Sequence, residues 1–260
     1  MKTAICKGVS MYVRLDMTIC ADKDLSYQMA SSFHGALMEQ IESEYASELH
    51  SSQLHPYTQH LEKREDGWHW VVTTLNEKAY QEIIEKKLLK LQKFRLDKHE
   101  INLQISDRRY TELSDRELAF SFYKTCQNPY IIIRFLTPTA FKYQGKYINY
   151  PDIRYLYGNL MNKYESAHAD ESMRDEDTLE QLIENSSISK YDLHSITFSL
   201  EGIRIPAFIG TMTLKIQGTQ TMRNFANMLF QFGEYSGIGI KTALGMGAVR
   251  LETNRRENNG

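Results

Sequence analysis

Apolar positions along the chain repeat first with a period of two, then of four, and the whole order of elements occurs twice. Residues 12–19 alternate apolar and polar, which predicts a strand. Leu25, Met29, Phe33, Leu37 and Ile41 lie four apart and predict a helix over 26–45, with Asp24 or Ser26 as its cap. Residues 57–64 and 68–74 predict a hairpin across Glu65-Asp66-Gly67, since Asp-Gly is a strong turn signal. A second helix over 76–91, capped by Asn76, and a strand over 100–107 complete a strand-helix-strand-strand-helix-strand order. That order is ferredoxin-like.

The order then returns. Residues 130–136 predict a strand ended by Thr137-Pro138, and Pro151 opens a helix over 151–164. Residues 193–200 and 203–216 pair around Glu201-Gly202. A helix over 219–232, with Met222, Phe225, Ala226, Leu229 and Phe230 on one face, precedes a last strand over 248–252. The fold class read from this pattern is α+β, with two tandem ferredoxin-like (RRM-like) units facing a central cleft. Their expected bounds are 1–122 and 123–260, with the junction near 117–128. The halves do not align residue by residue, so the repeat is one of architecture. The polar end, 253–260, is expected to fray.

Between the last helix and the last strand lies Gly237-Ile238-Gly239-Ile240-Lys241-Thr242-Ala243-Leu244-Gly245-Met246-Gly247. Nucleotide-binding loops are excluded. A phosphate-binding P-loop needs Gly-Lys before Ser/Thr and a helix after, whereas here Ile240 precedes Lys241 and a strand follows. The dinucleotide fingerprint fails because Thr242 replaces its third glycine. What remains is a loop of exposed backbone N–H groups with one lysine and one hydroxyl, a shape that binds anions. A plain helix-to-strand turn is the other reading of the same residues.

Composition adds three constraints. At 260 residues the chain is long enough for one large domain or two small ones. Its net charge of −2 is unevenly spread: residues 165–184 hold eight acids and one arginine, so the remainder carries +5. An acidic island on a mildly basic body suits an RNA partner. Cys6, Cys20 and Cys126 form no Cys-x-x-Cys pair, which argues for reduced thiols in a cytoplasmic protein and against structural zinc. No signal-peptide core and no membrane-spanning apolar run occurs.

Two ferredoxin-like units with a glycine-rich loop before the last strand resemble the RAMP superfamily of CRISPR-associated RNA-binding proteins. The 237–247 stretch is similar to that family's signature loop. Leu136-Thr137-Pro138-Thr139-Ala140-Phe141-Lys142, Pro151, Phe33-His34-Gly35-Ala36-Leu37 and Glu48-Leu49-His50 add to the likeness. Within the superfamily the chain is most similar to the repeat-processing endoribonucleases.

The resemblance implies cleavage of CRISPR precursor RNA without metal or other cofactor. The 2′-hydroxyl before the scissile bond attacks phosphorus, leaving a 2′,3′-cyclic phosphate and a 5′-hydroxyl. Such chemistry needs a base, an acid and positive charge near the phosphate, and histidine suits both proton roles. The implied catalytic pair is His34 and His50, with His55 the rival for the second place. Some family members carry a lysine shortly after the loop histidine. Here Ser51, Ser52, Gln53 and Leu54 follow His50, so Lys241, Lys142 or Arg134 must supply the cation. RNA contacts are expected from Gly237, Gly239, Lys241, Thr242, Gly245, Gly247, Arg134 and Lys142, with Lys146, Arg154 and Lys215 as further basic candidates. Tyr143 and Tyr147 are candidates to stack on unpaired bases. A multi-subunit CRISPR effector complex is the expected larger partner, oligomerisation is compatible with the sequence, and no membrane is involved. The alternative function is a non-catalytic RNA-binding RAMP subunit. A more distant one is a small-molecule enzyme binding phosphate at the loop.

Overall fold

The computed structural model describes residues 11–51, 54–123, 128–168 and 175–252. The first unit is built on β1 (Met11–Ala21), β2 (Tyr57–Arg64), β3 (Gly67–Thr74), β4 (Lys93–Leu96) and β5 (Ile101–Ser114), all antiparallel, in the order β2-β3-β1-β5-β4. The second is built on β6 (Tyr130–Thr139), β9 (Ser186–Leu200), β10 (Ile203–Ile216) and β11 (Val249–Glu252), in the order β11-β6-β10-β9. A small hairpin, β7 (Phe141–Tyr143) and β8 (Lys146–Ile148), projects after β6. In each unit the first strand lies between the third and the last of the repeated set, as a ferredoxin-like fold requires.

Helices cover the sheets. They are α1 (Ala30–Gln40), α2 (Ser43–Ser51) and α3 (Glu77–Ala79, continuing over Tyr80–Leu88 with i to i+5 bonds such as Leu89 N–H to Ile84 O at 3.0 Å). The remaining four are α4 (Asp115–Tyr123), α5 (Ile153–Ala167), α6 (Glu176–Glu184) and α7 (Gln220–Ser236). Asn76 caps α3 as expected, its side chain accepting from Ala79 N–H at 2.8 Å.

The helix expected over 26–45 is two helices. Ile41 is extended, at φ −82° and ψ 160°, and separates α1 from α2. A four-residue step overshoots the helical repeat by about 40°. Four such steps, from Leu25 to Ile41, walk the stripe around the helix, and the break at Ile41 turns Tyr45 and Leu49 back onto the core. Ser26 caps a short 3₁₀ turn, Tyr27–Met29, rather than α1. Pro151 precedes the cap of α5, which is Asp152. The junction is not a linker: α4 fills most of it, and Leu118 joins the second unit's core. The last part of the acidic stretch, Glu176–Glu184, forms α6, capped by Asp175. Strand β9 begins seven residues before its predicted start, because its polar first half is paired to β10 rather than buried.

Side chains from both units meet between them. Val13, Leu15, Met17 and Ile19 face the first core. Tyr12, in the opposite phase, is equally buried because Phe232 of α7 covers it, ring centroids 5.4 Å apart. Thr58 Oγ1 donates to Tyr235 O at 3.1 Å, and Arg250 of β11 pairs with Glu62 of β2 at 3.1 Å. The glycine loop crosses this junction and docks on both units.

Candidate active site

The loop at 237–247 is a folded element whose polar backbone is largely used within the chain. Gly237, Gly239, Gly245 and Gly247 all have positive φ and all are buried. A Cβ on Gly239 would lie 2.4 Å from Ala140 O, and one on Gly247 2.1 Å from Ile238 O, so neighbouring backbone leaves no room for one. The N–H groups of Gly237, Ile238, Ile240 and Gly247 donate to Gly233, Gly247, Ala140 and Pro138 carbonyls, and that of Gly239 donates to Asn159 Oδ1 at 2.7 Å. The expectation of a loop of exposed N–H groups is therefore corrected: these five are satisfied internally. The part turned to the outside is 240–244, where Lys241, itself left-handed at φ 58°, precedes a 3₁₀ turn, Thr242–Leu244.

Lys163 of α5 anchors the loop from below. Its ammonium donates to Ser236 O and Gly237 O, both at 3.0 Å, and lies 3.4 Å from Thr242 Oγ1. Burial lowers its pKa from 10.5 to about 7. Nothing in the residue pattern singles it out, since a lysine within a helix reads as a surface charge.

A cleft of about 280 Å³ opens above this loop, between the units. His55, Asn159, Lys163, Lys241 and Thr242 line it. His34, one position past Phe33 on α1, lies beside it. Its Nδ1 is 2.8 Å from the hydroxyl of Tyr57, and the two rings are nearly parallel. His55 is next to both, with ring centroids 6.4 Å from His34 and 5.7 Å from Tyr57. His50 is exposed in the last turn of α2, not in a loop beyond the first helix.

Burial first, and then the charges of His55 and His50, lower the pKa of His34 to about 4, against an opposing contribution from the Ala243 backbone. His55 is also lowered, by burial first and then by His50 and Lys241. Both are neutral imidazoles near pH 7. His55 Nδ1 is buried with no hydrogen-bond partner among the described residues. The cluster thus joins three histidines, one phenol and one lysine.

Other expected residues lie elsewhere. Arg134 on β6 pairs with Glu252 of β11 at 3.2 Å, and Lys142 sits over the Tyr147 ring at 5.7 Å on the β7–β8 hairpin. Neither lines the cleft. Arg154 is paired with Glu176 and Glu180 of α6. Tyr57, Gln59, Asn159 and Lys163 were not expected; only Tyr57 left a trace, as an aromatic opening a predicted strand. Among the described residues, no group of three or more His, Cys, Asp or Glu is placed to hold a metal ion. No helix of the described residues is long and apolar enough to cross a membrane.

Fold and site together define a tandem ferredoxin-like protein with an acid–base cleft at the junction of its units. The family model for the CRISPR-associated endoribonuclease Cas6 matches residues 133–249, which run from β6 to β11 and include the glycine loop. A CRISPR-associated endoribonuclease Cas6 of Streptococcus thermophilus is 38% identical over 231 residues, covering 86% of this chain and 91% of the relative. One from Mycobacterium tuberculosis H37Rv is 31% identical over 245 residues, covering 92% and 78%. Among solved structures, a Cas6 product complex superposes with a TM-score of 0.75 at 20% identity, over 94% of this chain and 100% of that one. A Thermus thermophilus Cas6 superposes with a TM-score of 0.68 at 20% identity, over 94% and 99%. The chain belongs to the CRISPR-associated endoribonuclease Cas6 family.

Proposed function

We propose that this chain cleaves CRISPR precursor RNA within its repeats, in the cytoplasm, without a metal ion. The 2′-hydroxyl oxygen bonds to the adjacent phosphorus, and the bond from phosphorus to the 5′-oxygen breaks. A 2′,3′-cyclic phosphate and a 5′-hydroxyl result. Unit 1–122 supplies the histidines and unit 123–260 the glycine loop. The carrying observation is that His55 and Lys241, one from each unit, line one cleft, with the His34 ring beside His55 and the charge of His50 acting on both histidines.

In this reading His55, neutral and unpartnered at Nδ1, takes the proton of the 2′-hydroxyl. His50, at the exposed rim, returns a proton to the leaving 5′-oxygen. His34 faces the phosphate, and Lys241 supplies the charge that the absent loop lysine would carry. Arg134 and Lys142 contact the flanks of the RNA, farther from the cleft. The product passes to, or the enzyme works within, a multi-subunit CRISPR effector complex.

The test is single-turnover cleavage of labelled repeat RNA in EDTA, with excess protein. Site-specific cleavage is expected in the wild type, and alanine at His34, His50 or His55 should slow it by roughly 10²- to 10⁴-fold. A strict Mg²⁺ requirement overturns the mechanism. Binding without cleavage supports the alternative, a non-catalytic RNA-binding subunit.

A further inference from the structure

Tyr57 opens β2 with its side chain on the helix-covered face and is fully buried. A buried phenol must direct its proton to an acceptor, because leaving it unsatisfied forfeits the hydrogen bond it made to water. Among the described residues the one hydrogen-bond partner of its hydroxyl is His34 Nδ1, at 2.8 Å. Burial raises the phenol's pKa, and Tyr45 raises it further, so the hydroxyl keeps its proton. The bond therefore runs from Tyr57 O–H to Nδ1, and the single ring proton of neutral His34 sits on Nε2.

The other side of the ring agrees. Toward Ala243 the backbone favours the charged imidazole, the sign expected where a carbonyl faces a ring N–H. That carbonyl is itself fixed. It accepts from Gln59 Nε2 at 3.0 Å, and the same amide donates to Ala30 O, at the start of α1, at 2.8 Å. Gln59 Oε1 in turn accepts from Trp70 Nε1 at 3.0 Å, so the amide cannot flip without losing a bond. One buried glutamine thus ties the start of His34's helix to the turn of the glycine loop.

We infer that Tyr57 is a positioning residue that locks His34 as the Nε2–H tautomer, so that His34 serves the proposed ribonuclease reaction as a neutral hydrogen-bond donor and not as its base. Nδ1, which accepts from Tyr57 O–H, is not open to receive a proton. When RNA enters, a phosphate oxygen takes the place of the Ala243 carbonyl before the Nε2–H. The donor then faces the oxygens on which negative charge builds during attack, where a preorganised N–H stabilises most. This division of labour rests on the ribonuclease reading, but the tautomer itself does not.

Histidine labelled with ¹⁵N, read by long-range proton–nitrogen correlation in RNA-free protein, tests the lock directly, with His34→Ala assigning the signal. The expected spectrum shows His34 protonated at Nε2 and bare at Nδ1. In Tyr57→Phe the Nδ1–H form should gain population. Protonation at Nδ1 in the wild type overturns the inference whether or not the protein cleaves RNA, and it does so even if Tyr57→Phe fails to fold. An unchanged tautomer in a folded Tyr57→Phe also overturns it. Single-turnover cleavage tests the role. His34→Ala should be roughly 10²- to 10³-fold slow, the usual loss for one such donor. His34→Gln, which presents an N–H but cannot ionise, should run about tenfold faster than His34→Ala. Equal loss in the two variants would mean proton transfer by His34. Tyr57→Phe should add nothing in the His34→Ala background, and an independent loss there would show that Tyr57 does not act through His34.

Discussion

Gly245 of the glycine loop lies directly against Ala30, the first residue of the helix that carries His34: a Cβ built on Gly245 would fall 2.1 Å from the Ala30 Cβ. Gly245 also has φ 103°, which strains any L side chain. The contact joins the second unit's loop to the first unit's His34-bearing helix.

Gly245→Ala should therefore destabilise the protein by roughly 1–3 kcal/mol through overpacking, and by about 1 kcal/mol or more through backbone strain. It should also slow cleavage by moving α1. Gly35, with open space where its Cβ would stand, is the control on the same helix. Denaturant midpoints of Gly245→Ala and Gly35→Ala compare the two. Equal midpoints would show that the loop does not press on α1.

Lys163 makes stability depend on pH. Its pKa is lowered from 10.5 in the unfolded chain to about 7 in the folded one. Between those values the unfolded state binds the extra proton, so folding stability rises with pH across this window. Below about 7 the burial penalty is fully present. Urea midpoints at pH 7, 8 and 9 should rise in the wild type relative to Lys163→Met, which has no proton to lose. A constant difference between the two proteins at all three values would mean that Lys163 stays charged. The Met variant should also loosen the loop, since Ser236 and Gly237 lose their donor.

Lys241 lines the cleft with His55, and its charge lowers the pKa of that histidine. Lys241→Ala should remove one phosphate contact and lower the slope of log affinity against log salt by roughly 0.7 for single-stranded RNA. Filter binding over a salt series measures it. Lys142→Ala, on the hairpin away from the cleft, should reduce binding without changing the cleavage rate of bound RNA. Reversed behaviour of the two lysines would move the cationic role to Lys142.

Much of this molecule was determined locally, and so was legible in the residue order. Alternation along 12–19, the Asp66-Gly67 turn, the Asn76 cap and the stripe from Met222 to Phe230 each depend on neighbours within a few residues, and each formed the expected element. Four glycines in eleven residues announced a loop of positive φ. The helix break at Ile41 was legible only in part: the four-residue spacing was visible, but the angular drift it causes matters only once there is a sheet for α2 to turn back onto. Helix α4 was hidden for a similar reason, because Leu118 and its neighbours find their apolar partners on α7, a hundred residues away. The site was decided almost wholly by tertiary structure. His34 stood out by type and place, but not its surroundings: Tyr57, which bonds to it, lies 23 positions along the chain, Gln59 and Ala243, which bond to each other, lie 25 and 209 positions from it, and Lys163 is distinctive only because folding buries it. A hydrogen bond across two units is a fact of distance and solvent exclusion, and neither quantity exists until the chain has closed.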